Sequence, residues 1–133
     1  MRLLTIIFLL ITTLNVLGQQ THDELIGVYE STDNKFERYS ILILSKDNRF
    51  IYKYGVGGCQ GEVTGTWGIE NKKLKMTNDK EFLNNDIVVN PNLGLTTWTI
   101  KKNGVRPDRL IDSGCVKDEK LHLRKMNGSQ QKL

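Results

Sequence analysis

Few residues in this chain have the type and spacing that covalent or metal chemistry needs. The two histidines, His22 and His122, stand far apart, and neither has a second histidine or a cysteine at ligand spacing. His122 alternates with Leu121 and Leu123, which a strand would turn inward, so its imidazole is expected to face solvent. No G-x-S-x-G, phosphate-cradling glycine loop or C-x-x-C occurs, and neither a metal nor any other cofactor is expected. The only two cysteines, Cys59 and Cys115, predict one disulfide. By loop-closure entropy, a bridge spanning about 57 residues stabilises the fold by about 4 kcal/mol. Four aromatics, Phe50, Tyr52, Trp67 and Trp98, fall on one face of their runs. Their bland role is a packed core, and their sharper one is the lining of a ligand cavity.

Leu110-Ile111-Asp112-Ser113-Gly114 resembles the hydrophobic-hydrophobic-Asp-Ser/Thr-Gly motif of retroviral-type aspartic proteases. In that family most of the fold follows the motif, whereas 19 residues follow Gly114. The expected reading is therefore a strand entering a turn, with Asp112 accepting from nearby amides. Asn127-Gly128-Ser129 fits a glycosylation sequon, a match too short to carry weight.

The elements that must position these residues begin after an export signal. Arg2, the apolar run Leu3 to Leu17, and the small residues Val16 and Gly18 have the three parts of a cleavable signal peptide over residues 1–18. That run is too short for a span of about 20 apolar residues. The expected mature chain starts at Gln19 as a single domain over 19–133, exported to a periplasm or secreted, with no membrane span after cleavage. From Ile26 onward, short apolar runs alternate with turn residues: Ile26–Ser31, Glu37–Ser45, Arg49–Gly55, Glu62–Glu70, Lys73–Thr77, Leu95–Lys102, Val105–Asp112 and Lys120–Met126. Val63, Gly65, Trp67 and Ile69 share the inward face of the clearest of them. Asn103-Gly104 is the strongest hairpin signal, as the centre of a type I′ turn. Residues 78–94 are left as a connection, in which Asn78 and Glu81 could cap a helical turn and Ile87–Val89 could form a strand. The tail 127–133 is expected to fray.

Eight strands predict an all-β, antiparallel up-and-down barrel, which leaves no sheet edge exposed. In such a meander the cysteine loops, four strands apart, open at one end, as a bridge requires. The chain contains no alanine, which agrees with a scarcity of helix. The full chain carries a net charge of +4, with basic residues dispersed and dense only in pairs such as Lys101-Lys102. A nucleic-acid footprint would be a clustered stripe, so no nucleic acid is expected as a partner.

Thr21 to Tyr29 is similar to the opening of a lipocalin-like (calycin) domain, in which a short helical turn leads into Gly-x-aromatic, here Gly27-Val28-Tyr29. Thr21 and Glu24 fit a capping box for that turn. Gly65-Thr66-Trp67 repeats the Gly-x-Trp idea, as in many small exported bacterial β proteins, and Arg124 stands where the family places an arginine over the first-strand aromatic. Tyr29 replaces the usual Trp, and the second motif of the family is missing. The resemblance implies binding of small apolar molecules in the barrel mouth. With the one-face aromatics Phe50, Tyr52, Trp67 and Trp98 as its lining, the leading expectation is a non-enzymatic domain that binds a small apolar ligand. The alternative expectation is a protein-interaction module, such as an inhibitor of an extracellular or envelope enzyme, presenting the glycine-rich loop 55–61 to a protein partner. A filled interior with an ordered, protruding 55–61 loop would favour the second.

Overall fold

The computed structural model describes residues 20–34, 38–83, 90–111 and 120–125. The signal peptide, the Thr21 side chain of the capping box, Ile87–Val89, the Asp112–Gly114 motif, Cys115 and the tail lie outside the described residues.

Eight antiparallel strands close into one barrel, each paired with its neighbours in sequence and the last with the first. They are β1 Gly27–Ser31, β2 Arg38–Leu44, β3 Arg49–Val56, β4 Cys59–Glu70, β5 Lys73–Asn78, β6 Thr97–Lys101, β7 Gly104–Pro107 and β8 His122–Arg124. A short helix, α1 (Gln20–Leu25), precedes β1. Strict alternation decides the faces. In β4, Val63, Gly65 and Trp67 point inward, and in β3, Phe50, Tyr52 and Tyr54 do the same.

Turn chemistry sets the registers. Asn71 and Lys72, both at positive φ (51° and 62°), join β4 to β5 as a type I′ turn with Glu70 opposite Lys73. Gly57-Gly58 joins β3 to β4, with positive φ only at Gly57, the first central residue, as a type II′ turn needs. The β6–β7 hairpin forms as expected, but its turn is centred one residue early, on Lys102-Asn103, with Lys101 opposite Gly104. Gly104 answers to a different constraint: a Cβ there would stand 2.2 Å from the His122 carbonyl oxygen on β8. A bare backbone is what lets β7 and β8 approach.

Three inward or sheet-facing glycines lie directly opposite aromatics: Gly65 opposite Phe50, Gly61 opposite Tyr54, and Gly55 opposite Tyr39. In each case the aromatic side chain covers the glycine so closely that a Cβ would fall 2.4–2.6 Å from one of its atoms. The bare glycine is what leaves room for the ring beside it.

Among the described residues, two 3₁₀ turns, Lys80–Phe82 and Leu93–Leu95, lie in and at the end of the 78–94 connection. Asn78 does not cap the first. It ends β5 instead, where its Nδ2 donates to the Pro91 carbonyl at 2.9 Å and its Oδ1 accepts from Leu93 N at 3.0 Å. A buried amide that satisfies two backbone groups is worth more here than an exposed cap.

Candidate functional site

Phe50, Tyr52 and Trp98 have no solvent-exposed surface, and Trp67 is 4 % exposed. All four belong to the core, with Leu42, Val63, Leu74 and Met76 packed beside them at zero exposure. Side chains at zero exposure border no water-sized space, so the interior around Phe50, Tyr52 and Trp98 is filled. Trp67 differs from the other three in its contacts. Its indole stacks on the His22 ring of α1 with centroids 4.3 Å apart, and its Nε1 donates to the Ser45 carbonyl at 3.0 Å. It plugs the end of the barrel that α1 covers.

Arg124 holds α1 in place by donating from Nη1 to Glu24 O at 2.8 Å and from Nη2 to Ile26 O at 2.5 Å. It lies opposite Tyr29 in the β1–β8 register, and the Tyr29 hydroxyl donates to Leu25 O at 2.7 Å. Burial raises the Tyr29 pKa, and the nearby Arg124 charge partly offsets this.

The expectation that His122 faces solvent is overturned. The imidazole is wholly buried, while Leu123 is outward and 44 % exposed. Register explains the reversal: Ser31 lies opposite His122 and is itself buried, and cross-strand partners share a face. His122 Nδ1 lies 3.0 Å from the Lys120 carbonyl, which can only accept, so Nδ1 carries the proton. Nε2 then accepts from the Ser40 hydroxyl, also at 3.0 Å. Trp98 meets the ring edge-on at 5.3 Å, and burial lowers the His122 pKa to about 4. Serine and histidine so placed could make a nucleophilic pair, but at 2 % and 0 % exposure this one is sealed from substrate. Among the described residues no group of histidines, cysteines and carboxylates could hold a metal ion.

The surface that stands out was missed by sequence reasoning. Leu95 is 75 % exposed and Leu110 is 71 % exposed. Their backbone is tied down: Arg109 N donates to Thr96 Oγ1 at 3.1 Å, Asp108 N to Thr97 O at 2.9 Å, and Gly94 N to Asn92 Oδ1 at 3.0 Å. Leu93, two residues before Leu95, is wholly buried. Leu95 and Leu110 each sit one residue from the Thr96–Arg109 bond, so the two leucines flank it. A cleft of about 240 Å³ opens beside Leu95, between Lys75, Thr97 and Arg109. On its wall the Asp108 carboxylate accepts from Lys73 Nζ at 2.7 Å, Thr97 Oγ1 at 2.6 Å and Thr99 Oγ1 at 2.5 Å. Those donors hold its pKa well below the usual carboxylate range. Among the described residues, no helix is long and apolar enough to cross a membrane. No known family, curated protein or solved structure matches this chain.

Proposed function

We propose that this chain is an exported, non-enzymatic protein-interaction module that engages its partner through the surface around Leu95 and Leu110. One observation carries the reading: two large aliphatic side chains are held outward on backbone fixed by side-chain hydrogen bonds and a buried Leu93 anchor. Isolated exposed leucines are ordinary, but a flanking pair on a braced rim has the character of a contact site. The filled interior around Phe50, Tyr52 and Trp98 supports the same reading over a ligand in the barrel. Export rests on the signal-like residues 1–18, and a Cys59–Cys115 bridge would suit that compartment. The β3–β4 turn beside Cys59 and the β7–β8 connection, which carries Cys115 in sequence, open from the same end of the meander.

A photo-crosslinking residue at position 95 or 110, expressed in the producing organism, should give a discrete protein adduct absent from position 53. The partner so identified, once purified, should bind the wild type and lose at least tenfold in affinity for L95S/L110S. Failure to form an adduct at either position, together with an apolar small molecule retained in native mass spectrometry, would replace this reading by ligand binding.

A further inference from the structure

The outer face that continues from Leu95 and Leu110 is markedly basic. Strands β5, β6 and β7 contain no acidic residue, yet they carry Lys73, Lys75, Lys101 and Arg106, with Arg109 just beyond. Alternation and pairing bring these together: Lys75 lies opposite Thr97, Lys73 opposite Thr99, and Thr99 opposite Arg106. Asp108 and, on the adjoining β4, Glu70 opposite Lys73 are acids at this face; Lys73 with the two threonines already engages both Asp108 oxygens. Among the described residues, Lys75, Arg106 and Arg109 have no carboxylate partner within ion-pair distance. Lys75 and Arg109 line the notch with Leu95, and exposed Arg106 and Leu110 stand close to Arg109 in sequence, so the face asks for an occupant that supplies both charge and hydrocarbon.

We infer that this face docks an acidic polypeptide segment of the partner, one that places carboxylates by Lys75, Arg106 and Arg109 and an aliphatic side chain across Leu95 and Leu110. The inference rests on the proposed function and names the chemistry of its partner. An anionic polysaccharide would satisfy the cations but leave the leucines in water, so the leucines decide for polypeptide. At about 240 Å³ the cleft is smaller than the roughly 300 Å³ at which drug-sized pockets begin, and matches a single side chain.

The test uses fluorescence anisotropy with a labelled peptide of alternating glutamate and leucine. Oligoglutamate of equal length and a heparin-derived oligosaccharide serve as competitors. The expected result is saturable binding that weakens with salt. K75E/R109E and L95S/L110S should each reduce affinity at least tenfold, while K53E on β3 should leave it unchanged. All these positions are at the surface, and an unaltered melting temperature confirms that the variants fold. Absence of peptide binding overturns the inference. So does equal competition by the oligosaccharide with L95S/L110S retaining full affinity, which would make the face a general polyanion site. If crosslinking from 95 and 110 finds a partner whose contacting segment lacks carboxylates, this inference fails while the proposed function stands.

Discussion

Burial holds the folded His122 at a pKa of about 4 against an ordinary value of 6.5. The hydrogen bond to Lys120 O only partly opposes that shift. Below pH 6.5 the unfolded chain takes up a proton that the folded chain refuses, so stability is intact above 6.5 and falls as pH drops toward 4. The loss amounts to roughly 3 kcal/mol across that window. Asp79, bound by Arg49 and Thr64, and Asp108 have depressed values, so their contribution persists above about 3.8 and disappears at lower pH. The two windows are thus separable. Urea midpoints at pH 7 and pH 4.5 should differ clearly in the wild type and much less in H122Q; an unchanged pH slope in H122Q would place the titration elsewhere. Trp67 offers a second test at this scale. Trp67→Ala removes both a core side chain and the stacking partner of His22, and should cost about 3–5 kcal/mol, read from the denaturant midpoint.

At the scale of elements, Gly104→Ala asks whether β8 depends on close approach to β7. A methyl group 2.2 Å from His122 O must push the strands apart, so the variant should lose about 1–3 kcal/mol or more, with amide protection falling first in β7 and β8. The strand pattern was legible wherever alternation ran long. β3 and β4, with eight and twelve residues, offered enough repeats to fix which face was inside. In β8, with three residues, Leu121 and Leu123 outvoted a histidine whose burial depends on Ser40, 82 residues away. No local pattern encodes such a partner. In the sequence Gly104 has the look of turn chemistry because its true constraint, the backbone of β8, is equally remote. Leu95 and Leu110 fall within strand-like runs of the sequence, but β6 begins at Thr97 and β7 ends at Pro107, which leaves both leucines outside the strands and exposed. The basic face was hidden for a related reason: its cations are spread from Lys73 to Arg109 and converge only when three strands pair.

For the whole molecule, intact mass joins two sequence-level expectations in one measurement. Exported protein should begin at Gln19, show no added label on alkylation, and take two labels after reduction. Retention of residues 1–18, or two free thiols before reduction, would count against export and the Cys59–Cys115 bridge respectively. With the bridge formed, reduction removes about 4 kcal/mol, a large share of the 5–15 kcal/mol typical of one domain, so melting should fall by many degrees.

The seam between β1 and β8 bears on how the chain finds its fold. Every other ladder joins strands adjacent in sequence, whereas this one pairs Tyr29 with Arg124 and Ser31 with His122, more than 90 residues apart. Neighbouring strands can meet within microseconds, but this ladder must wait for most of the chain to be gathered in. The seam is therefore expected to be last to form and first to part. In chevron measurements, substitutions at Leu123 and Arg124 should accelerate unfolding while leaving the refolding rate nearly unchanged, whereas substitutions in the β3–β4 ribbon should slow refolding. The lifetime of the native protein is then governed by its shortest strand.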